Sequence, residues 1–307
     1  MDIIILLFGF SIGLVLLVKG ADEMVSSAIQ IALRFKLPSS IVGATFIGFG
    51  TSAPELFAST RAALKGDLDL GIGNIVGSNI ANSLLVVAVL YLALPKDYSK
   101  KINLNKISPT WMAILTTIFV STYLLTNKFP FLLGIALLVL VLYVIYKMIS
   151  SESDDEEGLM EEEKSYIWLR GGMSLVATLY GSQLVVENAV EIASIFGVSS
   201  LVIGSTIIAI GTSLPEVAGT ISAAKMRKPD IVFGNIFGSN LFNIGLVGGA
   251  AIMISPGEIS SAIDYQLFIM YFVSFVVIFL SRNIIKRNTI LGYVFIAVYV
   301  LFLISLF

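Results

Sequence analysis

Cysteine and histidine are both absent from the 307-residue chain. The first absence removes disulfides and thiolate metal sites. The second removes His-ligated zinc, haem with a His ligand, and Ser-His or Cys-His nucleophilic sites, because each needs imidazole as ligand or base. Charge is scarce too: Asp, Glu, Lys and Arg together make 13% of the residues, and a net charge of -2 says little about partners. No nucleic-acid partner is expected. What fills the chain instead is apolar. Hydrophobic residues make up 57% and the mean hydropathy is +0.94, which excludes the soluble globular class.

Apolar runs near residues 3–18, 39–64, 70–94, 107–126, 129–149, 165–195, 199–224, 231–254, 262–281 and 288–306 are each long enough, or nearly so, to cross a hydrocarbon core of ~30 Å. They predict an all-α polytopic membrane protein with ten spanning helices. The opening MDIIILLFGF has no basic residue ahead of its apolar run and no small-residue cleavage site after it, so it reads as a first span rather than a signal peptide. Of the 19 Lys and Arg residues, fifteen fall on one side of a ten-span arrangement, three (Arg61, Lys65 and Lys128) fall on the other, and Lys19 is ambiguous. Positive charge marks the cytoplasmic side, so both termini are expected outside and the 150–164 loop inside.

Sliding the chain along itself by 161 residues lays residues 41–82 on 202–243 without a gap, and 18 of the 42 pairs are identical. GTSAPE matches GTSLPE, and GNIVGSNIAN matches GNIFGSNLFN. Most of the identities fall on Gly, Thr, Ser, Pro, Glu and Asn, so shared aliphatic composition does not explain them. The duplication divides the chain into a first five-helix half (1–150), an acidic linker (151–164) and a second half (165–307). Five is odd, so the second copy must enter the membrane from the opposite side. Such inverted repeats hold substrate sites near the midplane between the halves.

In TSAPE, Ser52 with Glu55 three residues later fits a capping box, with Pro54 in the first turn of a helix that restarts halfway across the bilayer. Pro54 removes the helical partner of the Gly50 carbonyl, and Pro215 does the same to Gly211. Backbone left open at that depth belongs where it lines a polar cavity. The hydroxyls of Thr51, Ser52, Thr212 and Ser213 and the carboxylates of Glu55 and Glu216 add hard oxygen ligands. Asn74, Ser78 and Asn82, spaced four apart, share one helix face, and Asn235, Ser239 and Asn243 repeat the pattern. The alternative for these Asn and Ser side chains is a role as interhelical glue. Gly73 with Gly77, and Gly234 with Gly238, form G-x-x-x-G pairs that let a neighbouring helix approach.

Among the 21 acidic residues, Glu55 and Glu216 alone sit deep within a span, and no Lys or Arg shares their depth; Asp22 and Glu23 lie beyond the first apolar run, as mouth or interface residues. An unpaired carboxylate there is costly, with an idealised Born term on the order of 20 kcal/mol before relaxation. A mobile cation must neutralise the pair. Two carboxylates plus many neutral oxygens suit Ca²⁺, and the same oxygens could hold several Na⁺ instead. With Ca²⁺ the site is neutral, with three Na⁺ it is positive by one, and empty it is negative by two, so the empty site crosses the access barrier worst. Exchange, rather than leak, is the expected behaviour.

These four motifs, in order within a ten-span frame, resemble the two alpha repeats of the calcium/cation antiporter superfamily, and within it the sodium/calcium exchanger of prokaryotic type. The likeness covers essentially the whole chain. It implies broken core helices (the second, third, seventh and eighth spans) and long, tilted first and sixth helices that slide past the core. It implies that Glu55 and Glu216 are shared between Ca²⁺ and Na⁺. Thr51, Ser52, Thr212, Ser213, Ser78, Ser239, Asn82 and Asn243, with the carbonyls of Gly48 and Ala209, would complete the ligand set. Relatives that also carry K⁺ place Asp where this chain has Asn243; the neutral residue weighs against K⁺ co-transport and favours Na⁺ over H⁺. A prokaryotic cell membrane and a monomer in lipid are expected, with no cofactor beyond the transported ions.

Residues 151–163, SESDDEEGLMEEE, hold eight acids in thirteen positions without EF-hand spacing and read as a solvated linker. Three other functions compete. A Ca²⁺/H⁺ antiporter would use the same glutamates as proton carriers, a cation channel could use a Glu pair but does not explain the duplication, and an intramembrane enzyme lacks a nucleophile and base system.

Overall fold

Apolar runs in lipid fold as helices because a helix satisfies its own backbone N–H and C=O groups where no water can. The computed structural model describes residues 3–101, 104–150, 166–197, 211–282 and 284–306. In the first half, α1 (Ile3–Phe35) precedes a broken span made of α2 (Ser39–Val42), a π-helical turn (Gly43–Gly48), α3 (Phe49–Thr51) and α4 (Ala53–Leu64). The next span joins α5 (Leu68–Ala81), a π-helical turn (Asn82–Val86) and α6 (Val87–Ala93), and α7 (Ile107–Thr126) and α8 (Phe131–Ile149) follow. The second half repeats this order with α9 (Ile167–Ile195), α10 (Leu214–Lys225), α11 (Pro229–Phe242), a π-helical turn (Asn243–Gly248), α12 (Gly249–Ile254), α13 (Asp264–Ser281) and α14 (Thr289–Ile304). Among the described residues, six helical runs are long and apolar enough to cross a membrane, and the bent pair Ser39–Thr51 and Ala53–Leu64 adds a seventh. The linker 151–164 and the stretch before α10, which includes Ala209, lie outside the described residues.

Four short strands tie the halves together. β1 (Ser99–Lys101) pairs antiparallel with β4 (Ile284–Lys286), and β2 (Lys128–Phe129) with β3 (Gly257–Glu258). Each sheet joins the connection after the third span of one half to the connection after the fourth span of the other. Such reciprocity is what a twofold relation between the halves requires.

Helix α11 runs through the middle, with every residue from Ile231 to Phe242 buried. It packs backbone to backbone on the first half of the broken span: a Cβ added at Gly234 would meet the Ser40 carbonyl, and one at Gly238 the Ala44 carbonyl. A Cβ at Gly48 would lie 2.9 Å from the Ser239 nitrogen. The second G-x-x-x-G pair therefore performs the close approach expected of it. Around Gly73 and Gly77 nothing lies within 4 Å among the described residues; the segment related to α2 by the 161-residue shift is outside them.

The sequence reading ends the first apolar run near residue 18, yet α1 continues for 33 residues, about 50 Å at 1.5 Å per residue, and α9 spans 29, about 44 Å. Both exceed a ~30 Å hydrocarbon core and must tilt or protrude. Asp22 and Glu23 thus lie inside the helix, not beyond it. Glu23 is tolerated there because Arg170 of α9 forms an ion pair with it. The two helices run antiparallel in close contact. A Cβ at Gly13 would lie 2.9 Å from the Gly181 carbonyl, and one at Gly20 would lie 2.7 Å from Thr178 Oγ1.

Candidate cation site

The predicted break at Ser52 is present, and the described residues from Gly211 onward show the same interruption at Thr212 and Ser213. The axes on either side of Ser52 differ by 45°, and Pro54 stands in the first turn of α4 as Pro215 does in α10. Ser52 (φ -82°, ψ -1°) and Ser213 (φ -93°, ψ 3°) adopt the same bridge conformation. That backbone geometry corrects the capping-box expectation. A capping side chain needs an extended residue to aim its oxygen at the helix N–H groups; Ser52 makes no such bond, and its Oγ is buried without a partner. The expected open carbonyls are corrected as well. The Gly50 oxygen accepts a backbone N–H at the cap of the turn, and the Gly211 oxygen accepts Ser182 Oγ from α9 at 3.2 Å. Helix α9 covers both breaks, with Leu175 against Gly50 and Val186 against Gly211.

Glu55 (4% exposed) and Glu216 (2% exposed) open α4 and α10. The positive ends of two half-helix dipoles therefore face these carboxylates. Ser78 Oγ donates to Glu55 Oε1 at 3.4 Å. Neither carboxylate has an ion-pair partner among the described residues. Glu55 Oε2 and Glu216 Oε2 are buried with no hydrogen-bond partner. Among the described residues no third Asp, Glu or His joins them there, so the other ligands these residues can offer a cation are neutral oxygens.

Several such oxygens surround the pair. Thr51 Oγ1 lies 3.4 Å from Ser239 Oγ, which in turn donates to the Gly48 carbonyl at 3.3 Å. Asn82 and Asn243 each begin a π-helical turn, a local distortion that recurs at functional sites. The Asn243 Oδ1 is buried and unpartnered. Ser213 is buried, whereas Thr212 is exposed, unlike its repeat mate Thr51. Glu55, Glu216, Thr51, Ser52, Ser78, Ser239 and Gly48 are thus grouped around the two breaks, and Asn82 and Asn243 begin the π-helical turns that pack against α10 and α4.

Sequence reasoning missed Asn79 and Asn240, which the 161-residue shift also superimposes. Asn82 Nδ2 donates to Asn240 Oδ1 at 3.1 Å, and Asn243 Nδ2 donates to Asn79 Oδ1 at 3.0 Å. Each bond crosses from one half to the other. Their signal is the Asn of GSN repeated in both copies, which falls off the i, i+4 face of Asn74, Ser78 and Asn82. Asn74 takes the glue role: its Nδ2 donates to Ser59 Oγ at 2.9 Å, tying α5 to α4.

A family model described as sodium/calcium exchanger protein matches residues 5–151 and 166–307. The putative antiporter CaxA of Alkalimonas amylolytica is 38% identical over 265 residues, which cover 82% of this chain and 81% of that protein. The sodium/calcium exchanger MaX1 of Methanosarcina acetivorans is 29% identical over 345 residues, covering 96% and 97%. Among solved structures, the sodium-calcium exchanger NCX_Mj soaked with 2.5 mM Na⁺ and 10 mM Sr²⁺ matches with a TM-score of 0.84 at 27% identity, over 99% of both chains.

Proposed function

The chain belongs to the sodium/calcium exchanger family, and on that premise we propose that it exchanges Na⁺ for Ca²⁺ by alternating access, with Glu55 and Glu216 shared between the two cations. As a member it is a membrane transporter of the cation/Ca²⁺ exchange class and not an enzyme; Ca²⁺ and Na⁺ are substrates, and no cofactor is indicated. The observation that carries the shared-site reading is the set of buried oxygens without partners: Glu55 Oε2, Glu216 Oε2 and Ser52 Oγ at the helix breaks, and Asn243 Oδ1 at the π-helical turn that packs against α4. A buried acceptor without a donor costs about 1–3 kcal/mol, and more when charged, unless a cation repays it. The likeness to MaX1 and NCX_Mj, both described as sodium/calcium exchangers, supports Na⁺ as the counter-ion.

Transport in this reading is electrogenic. One Ca²⁺ neutralises the two carboxylates, Na⁺ filling the same oxygens in excess of two leaves a positive site, and the doubly negative empty site crosses the membrane poorly. The two long helices α1 and α9 slide along the core to expose the site to one side at a time, and the protein works as a monomer with both termini outside. The decisive experiment is Ca²⁺ uptake into proteoliposomes, driven separately by Na⁺ and H⁺ gradients under a clamped membrane potential. Uptake that follows the Na⁺ gradient and the potential is expected. Uptake driven by a pH gradient without Na⁺ would reassign the protein as a Ca²⁺/H⁺ antiporter.

A further inference from the structure

An asparagine can face a cation with its oxygen or repel it with its NH₂, and the two ends of the amide have nearly the same shape. Something must therefore decide which end of Asn82 and Asn243 enters the site. The crossing bonds do so. Asn79 Nδ2 points at the Asn240 backbone carbonyl at 3.4 Å and at Met270 Sδ at 3.7 Å, both acceptors, so its Oδ1 must be the end offered to Asn243. Only the Nδ2 of Asn243 can answer an oxygen, and it does so at 3.0 Å, leaving its Oδ1 buried and unpartnered. In the second arm Asn240 Nδ2 donates to Ser83 Oγ at 3.1 Å, Asn240 Oδ1 receives Asn82 Nδ2 at 3.1 Å, and Asn82 is left with its oxygen to give; a hydroxyl can take either role, so the first arm, with its two acceptor-only partners, sets the polarity more strictly.

We propose that Asn79 and Asn240 are positioning residues for ion binding: each fixes the amide polarity of the partner half's site asparagine, so that the site is lined with oxygens and no N–H. The inference rests on the shared-site reading above, since it assumes that Asn243 and Asn82 face the cations. All four side chains are 3% exposed or less, so solvent does not scramble the polarity. The arrangement also makes each half supply the orienting group for the other, which ties site geometry to correct pairing of the repeats.

A substitution that makes orientation irrelevant provides the test. A carboxylate has two acceptor oxygens and no donor, so in Asn243→Asp there is no polarity left to set. Asn79→Leu, close in size but unable to accept, should weaken Ca²⁺ binding to the purified protein about tenfold by isothermal titration. The same substitution in the Asn243→Asp background should not weaken it. Asn240→Leu, alone and with Asn82→Asp, forms a second, independent cycle. Equal weakening in both backgrounds, or no effect in either, overturns the proposal, because a packing role does not depend on what stands at the partner position. Loss of folded protein in both Leu variants overturns it as well, by assigning the amides to assembly. Glu55→Gln and Glu216→Gln are measured in parallel. If they abolish Ca²⁺ binding while the cycles are additive, the orienting role alone fails; if they bind Ca²⁺ normally, the site reading itself fails.

Discussion

Ser52 and Ser59 are buried hydroxyls seven positions apart at one helix break, yet their surroundings differ. Ser59 Oγ donates to the Gly71 carbonyl at 3.0 Å and accepts Asn74 Nδ2 at 2.9 Å, whereas Ser52 Oγ has no partner. Ser59→Ala should therefore cost about 1–3 kcal/mol of stability, read by thermal unfolding in detergent, with ion selectivity unchanged. Ser52→Ala should leave the unfolding temperature where it is and raise the Ca²⁺ concentration for half-maximal uptake. Thr220, the counterpart of Ser59 in the second half, is buried with an unpartnered hydroxyl, so the isosteric Thr220→Val should be neutral or stabilising. At the site's centre, Glu55→Gln and Glu216→Gln should each reduce Na⁺-driven Ca²⁺ uptake to background. Those two glutamates were legible in the sequence because a carboxylate amid apolar residues has no cheap explanation. Asn79 and Asn240 were not, because their role lies in which end of an amide faces which neighbour, and no spacing encodes that.

At the level of elements, the break at Ser52 was legible in the residues themselves, whereas the length of the first helix came from the family resemblance and not from hydropathy. Proline after T-S marks the break through its missing N–H. For α1, hydropathy stops at Lys19 and the acids that follow, while the helix continues because Arg170 and the glycine-lined face of α9 accept it. The π-helical turns left no trace in the composition either. The close α1–α9 contact has a kinetic consequence. A side chain at Gly13 would press on the Gly181 carbonyl and on the Val185 nitrogen, both at 2.9 Å, and backbone cannot move aside as a flexible side chain can. Gly13→Leu should lower turnover about tenfold or more while leaving equilibrium Ca²⁺ binding near the parent value, if the two helices must slide. Equal losses in both measurements would point to general misfolding.

At the scale of the whole molecule, the duplication gave the inverted architecture, since an odd number of spans leaves no other way to insert the second copy. The orientation is open to direct measurement because the chain has no cysteine of its own. A single Glu156→Cys reporter in the acidic linker should react with an impermeant maleimide in inside-out vesicles and stay protected in intact cells. The halves touch through α11 packed on α2, through the crossing asparagines, and through the sheets β1–β4 and β2–β3. Every one of these ties takes one end from each half. Two separately expressed pieces, 1–156 and 157–307, should therefore co-purify and carry out Ca²⁺ uptake, and neither should do so alone. The reciprocal strand exchange also speaks to ancestry. Among the described residues each strand finds its mate in the upside-down sibling, the closed contact that two unfused copies lying in opposite directions would make.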